Sequence, residues 1–415
     1  MNKRFLAVSA LLLAAFWLKA QDPADLIKDN YYRMAANYHV YEACTDPVST
    51  PPQGYEPFYI SHYGRHGSRY LSFLSSYNKS LAAMRALDAS GLLNARGKTL
   101  LEKLESAYSI TRSRVGRLTA KGIAEHRGIA ERMYGRFPSV FTPGGRVEAV
   151  SSTSRRCKTS MVSFLSALSE QETSLDLCMD ASPENMKYIL NHGDDGFHAE
   201  VKHSLDSIFH ATFDPRALLK PLVKNYRRAS ALLDDPVAFE RTLYDCVAIS
   251  QCLPGEYDIT EYIPYGEGVK LWSGKNRQQY LYHGNSTLYG ARRLEASRPL
   301  AEDIVAKADA AIAKGKPAAS LRFGHDSALL ALECYIGIDG FDEQLAPELT
   351  DRWQNFRLMC MASNLQMVFY RNASGDILVQ LLCNEREVGV PALGPGPFYP
   401  WSALRAHLLR EKIVN

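Results

Sequence analysis

The chain has 415 residues, 46% hydrophobic and 22% charged, which is enough apolar material for one large domain with an insertion or for two domains. Its formal net charge is only +3, and Lys3, Arg4 and Lys19 all lie in a start that holds no acidic residue. Beyond that start, basic and acidic residues are equal in number, which excludes a global attraction to nucleic acid or to anionic membranes. Any anion site has to be built locally.

Lys3 and Arg4 precede an apolar run over residues 5–18, and Ala20 offers a cleavage point, the layout of a secretory signal peptide. The run falls short of the ~20 residues that span a bilayer. The expectation is a signal peptide over 1–20 and an exported protein, periplasmic or secreted, with no stable membrane anchor. A helical pattern over 24–36 and a Pro-rich loop over 46–57 follow.

Three later segments share one grammar, an apolar strand-like run, a polar loop and a helix-like run. They read PFYISHYGRHGSR, RVEAVSSTSRRCKTSMVSFLSAL and SLRFGHDSALLALECYIGI. Strands alternating with helices predict an α/β fold, with a mainly parallel sheet covered by helices on both faces. Ligands of such sheets bind beyond the carboxyl ends of the strands, where all three polar loops fall. Residues 171–304 are mainly helical in pattern and predict an inserted α-helical cap domain, leaving 21–170 and 305–415 as the catalytic core. A hairpin around ASGD and a helix over 401–412 close the chain. The eight cysteines contain no CxxC and match no zinc pattern; Cys246 and Cys252 are the easiest local pair.

The first loop carries Arg65, His66 and Arg69. Two guanidiniums on a tight loop can grip a tetrahedral oxyanion, and they disfavour imidazolium on the histidine between them. A neutral imidazole beside a phosphate can act as a nucleophile. The second loop puts Arg155 and Arg156 at a helix start, which itself favours anions. Adjacent helical residues diverge, so one arginine should face the site, and the residues alone do not say which. The third loop sets His325 and Asp326 at a strand-to-helix turn; Asp326 could protonate a departing alkoxide if burial and a bound anion raise its pKa. Together the loops fit phosphoryl transfer. Arg65, Arg69, one second-loop arginine and His325 supply positive charge, His66 the attack and Asp326 the proton, with no metal and no cofactor.

GRHGSR, LTAKG and GHDS together resemble the histidine phosphatase superfamily, in its acid phosphatase and phytase branch, and are most like the multiple inositol polyphosphate phosphatases. The resemblance implies a phosphohistidine at His66, with phosphate held by Arg65, Arg69, Arg156 and His325, and proton donation from Asp326. It also implies a small-molecule phosphomonoester as partner, an inositol polyphosphate such as phytate, and no nucleic acid. Two departures stand out: Leu71 replaces the family's proline, and His325-Asp326 replaces the H-A-E of animal inositol polyphosphate phosphatases, which shortens the donor's arm. A broad-specificity acid phosphatase and a non-catalytic exported binder of phosphorylated ligands are the competing readings.

Overall fold

The computed structural model describes residues 22–190, 199–202, 205, 209–210 and 212–411. The expected signal peptide over 1–20 lies outside the described residues, and among these no helix is long and apolar enough to cross a membrane.

An eight-stranded sheet forms the centre. Its strands are β1 (Glu56–Arg65), β2 (Arg146–Ser151), β3 (Asp176–Asp180), β4 (Ala319–Gly324), β5 (Asn364–Arg371), β6 (Ile377–Cys383), β7 (Arg386–Glu387) and β8 (Phe398–Pro400). They run in the order β3-β2-β4-β1-β5-β6-β7, with β8 also on β6. The β3-β2-β4-β1 half is parallel, whereas β5 pairs antiparallel with β1 and carries the antiparallel remainder. The α/β fold with helices on both faces is thus present, and its sheet is mixed.

Alternation along β1 explains the two faces. Tyr59 and Tyr63 pack into one core with helices Arg298–Lys314, Asp326–Ile336 and Trp401–Leu408. Ile60 joins the opposite core with helices Ala120–Arg136 and Arg155–Gln171. β1 runs on through Arg65, so Arg65, placed in the first loop from the sequence, is the last strand residue; the loop starts at His66, and His62 is buried within the strand. Register then fixes the site. Arg65 pairs with Gly324 of β4, whose Phe323 pairs with Ser151 of β2, so three strands end side by side.

Beyond those ends lies a helical layer with its own apolar core. It draws on helices Ser75–Ala89, Ala95–Arg112, Pro236–Ser250 and Tyr265–His283 and on the N-terminal segment around Ile27 and Met34. Helices preceding β2 therefore share a core with helices of 171–304. Within 171–304 itself, β3 belongs to the sheet, and helix Arg298–Lys314 crosses the expected end of the insertion. The helix expected over 24–36 is two pieces, Pro23–Asp29 and a 3₁₀ segment Tyr31–Tyr38. The closing hairpin is β5–β6. All eight cysteines are free thiols, so the suggested Cys246–Cys252 pairing is absent; both thiols are buried in the helical core.

Candidate active site

The GRHGSR loop is shaped by backbone. The His66 amide donates to the Gly324 carbonyl (3.0 Å) and the Ala362 amide donates to the His66 carbonyl (3.1 Å), clamping the loop between β4 and the approach to β5. A Cβ on Gly67 would stand 2.6 Å from the Gly122 carbonyl oxygen, and one on Gly122 would stand 2.2 Å from that of Ser68. Glycine at both positions lets helix Ala120–Arg136 press against the loop. Thr119 caps that helix by accepting from the Gly122 amide, and its own amide donates to the Ser68 carbonyl (2.9 Å). This is the physical content of the LTAKG motif. Glu125, one turn further along, accepts from the Ser68 amide (2.7 Å) and hydroxyl (2.6 Å).

His66 is buried, with Nδ1 3.0 Å from the Gly67 carbonyl oxygen. A carbonyl only accepts, so Nδ1 holds the hydrogen and Nε2 keeps a free lone pair. Burial, then the charges of Arg65, Arg69 and Arg156, hold the imidazole well below its ordinary pKa. The expected neutral imidazole among guanidiniums is what the geometry produces.

Arg65 is fully buried. Its Nη1 donates to the carbonyls of Asn37 and Met359, both at 2.6 Å, and its Nη2 lies 2.9 Å from Asp326 Oδ2. Arg69 donates to the Tyr70 carbonyl (3.0 Å) and stands 5.4 Å from the centre of the Tyr38 ring. Of the two arginines left open by the second loop, Arg155 is exposed, while Arg156 turns inward and donates from Nη2 to His325 Nδ1 (3.2 Å). The Nε–H groups of Arg65, Arg69 and Arg156 are all buried without hydrogen-bond partners among the described residues. Three cationic donors left unsatisfied in one place suit an oxyanion.

His325 stands with its ring centre 5.5 Å from that of His66. Because Nδ1 accepts from Arg156, Nε2 carries the hydrogen, directed at the Ser152 hydroxyl 3.2 Å away. Burial, then Arg156, pushes its pKa down to about 4. Asp326 opens helix Asp326–Ile336; its Oδ1 accepts from the Ser327 amide (3.0 Å) and its Oδ2 from the Asn37 amide (3.1 Å). Burial raises this carboxyl, but Arg65, ahead of His283, His66 and Asn37, outweighs burial and holds it below the usual carboxylate range. Proton donation requires a pKa raised by burial and a bound anion; without the anion, the ion pair with Arg65, invisible in the sequence, outweighs burial and keeps it low.

All six residues singled out in the sequence thus stand within one site. Asn37 and Tyr38 were missed. They come from the N-terminal 3₁₀ segment, whose ANYHVYEA stretch carries no glycine, no paired charge and no strand–loop–helix pattern that would flag it.

No family model matches the chain, and no curated protein matches it in sequence. Solved structures do match in shape. The multiple inositol polyphosphate phosphatase of Bifidobacterium longum, in complex with inositol hexasulfate, superposes with a TM-score of 0.76 at 18% identity, over 92% of this chain and 98% of that one. The phytase of D. castellii gives a TM-score of 0.65 at 14% identity, over 92% and 85%. The Hafnia alvei phytase gives 0.54 at 13%, over 86% and 97%. The chain shares the fold of multiple inositol polyphosphate phosphatase and of phytases, which is the fold its motif resemblance implied.

Proposed function

We propose that the protein is a phosphomonoesterase that works through a phosphohistidine at His66, needs no metal or cofactor, and takes inositol polyphosphates such as phytate. Arg65, Arg69 and Arg156 grip the phosphoryl oxygens, joined by His325 once its ring exchanges one of its present bonds for phosphate. His66 Nε2 forms a bond to phosphorus while the ester P–O bond breaks, and the proton of Asp326 passes to the departing oxygen. Water then attacks the phosphohistidine, giving its proton to Asp326 and releasing phosphate. A dianion gripped by Arg65 weakens that residue's hold on Asp326 and adds a nearby negative charge, both of which raise the carboxyl toward the protonated form.

The observation that carries this reading is the tautomer of His66: a neutral ring with Nε2 free, beside three buried guanidinium donors lacking partners. A binder needs neither that lone pair nor Asp326. The inositol polyphosphate reading is supported by the inositol hexasulfate bound to the Bifidobacterium enzyme. It is supported too by Lys275, whose Nζ stands 5.8 Å from the Tyr38 ring that Arg69 also covers, a second cation for a neighbouring phosphate. The charged and then apolar start supports export. The test is phosphate release from phytate and from an aryl phosphate, with chelator present, by wild type and His66→Ala. Turnover that survives chelation and falls about 10⁴-fold or more in the variant is expected. Unchanged release by His66→Ala would overturn the mechanism, and a strong preference for the aryl ester would overturn the substrate.

A further inference from the structure

Asp326 Oδ2 accepts from Asn37 Nδ2 (3.1 Å) and lies 2.9 Å from its ion-pair partner Arg65 Nη2, so the donor and the cation both favour negative charge on this oxygen. Among the described residues Oδ1 accepts from the Ser327 amide alone and keeps one lone pair. We propose that Asn37 is a positioning residue of the acid–base step, holding Oδ2 as an acceptor so that Oδ1 is the atom that carries the proton and gives it to the leaving oxygen. When Oδ1–H breaks, its proton goes to the ester oxygen as that oxygen's bond to phosphorus breaks and the His66 Nε2–phosphorus bond forms. The carboxylate left behind is then stabilised on Oδ2 by Asn37.

Two features separate this from a packing role. Asn37 Oδ1 is buried with no hydrogen-bond partner among the described residues, so the amide's one side-chain bond is the one to Asp326. Leaving that acceptor buried and unsatisfied costs stability, which the bond to Asp326 has to offset. The residue before it, Ala36, is a buried non-glycine at φ 57° and ψ −128°. Backbone of this kind persists where its surroundings over-determine it. Here it delivers the Asn37 side chain to Asp326 and the Asn37 carbonyl to Arg65 Nη1 together.

The groups that bear on Asp326 come from every side. β1 and its loop bring Arg65, His66 and Tyr63; helix Arg155–Gln171 brings Arg156 and Cys157; helix Tyr265–His283 brings His283; and His325 adjoins it. Asn37 does not titrate, and its replacement by alanine leaves all those groups in place. Donation to a carboxylate favours the ionised form, so loss of the amide raises the pKa of Asp326.

The inference rests on the phosphatase reading and is tested after it. Wild type, Asn37→Ala and Asn37→Asp are compared for phytate turnover across pH. The alkaline limb, where Asp326 loses its proton, should move up by about one pH unit in Asn37→Ala and further in the isosteric Asn37→Asp, whose like charge adds to the lost donor. At the optimum, kcat should fall at least about tenfold with KM little changed. Limbs that stay at the wild-type pH in both variants would overturn the role of Asn37 while leaving the phosphatase reading intact. No turnover by wild type overturns both. Should Asn37→Ala unfold, Asn37→Asp carries the decision, since its shape preserves the packing.

Discussion

β1 and the loop that follows it carry two buried histidines four residues apart, His62 and His66, in sharply different surroundings. His62 lies between the rings of Phe164 and Phe323, 5.4 and 5.5 Å away, with His126 also edge-on to Phe323. His66 lies among Arg65, Arg69, Arg156 and His325. Burial depresses all of these imidazoles: His62 and His126 fall to about 3, and His66 well below its usual value. A low pKa alone therefore does not mark a nucleophile. What separates His66 is a carbonyl that fixes its tautomer, unsatisfied cationic donors around it, and a carboxyl within the same site. His62 Nδ1 has no hydrogen-bond partner among the described residues, and its ring packs against Phe164 and Phe323.

Four substitutions can break or sharpen that contrast. Asp326→Asn keeps the shape and removes the transferable proton, so kcat for phytate should fall about 10²–10⁴-fold. The loss should be smaller for an aryl phosphate, whose leaving group needs less protonation; an equal loss on both esters would move Asp326 from proton donor to ligand. In wild type, activity should fall as pH rises through the Asp326 pKa of the substrate complex. It should persist well into acid, because His66 stays unprotonated there.

Arg156→Ala should cost about 10²-fold in kcat/KM, whereas Arg155→Ala, whose side chain is exposed, should cost less than twofold. Steady-state kinetics on the two variants decide whether the inward arginine belongs with the His66 cluster.

His62→Leu should leave phytate turnover at the wild-type level and alter acid stability. His62 in the folded chain titrates at about 3, below the ordinary value near 6.5. As pH falls between those values, the unfolded chain takes up a proton that the folded chain refuses, and stability drops by up to about 1.4 kcal/mol per pH unit. Removing His62 deletes its share of that slope, so the acid midpoint of unfolding should move to lower pH. Loss of turnover instead would erase the distinction between the two histidines.

How much of this was legible in the sequence follows from where each residue gets its role. Arg65, His66, Arg69, His325 and Asp326 could be found because parallel strands carry their following loops to one edge, and register does the rest. Arg156 could be told from Arg155 only by family likeness, since helix phase near an N-terminus depends on where the first turn starts. The carboxyl end of β1 is hidden in the sequence because Ser61, His62 and Gly64 look like loop residues; His62 is accommodated by aromatic neighbours distant in sequence. Asn37 reaches Asp326 across 289 positions from a short 3₁₀ segment, a pairing that no local pattern encodes.

The central claim is that phosphorus becomes bonded to His66, and it can be tested directly. Wild type turning over phytate labelled in its phosphates is quenched within milliseconds into alkaline denaturant, where phosphohistidine survives, and the peptide holding residue 66 is examined for label. The account predicts acid-labile, alkali-stable phosphate on His66 at a substantial fraction of sites and none in His66→Ala. Turnover with no label on protein, or with label on another residue, would contradict it.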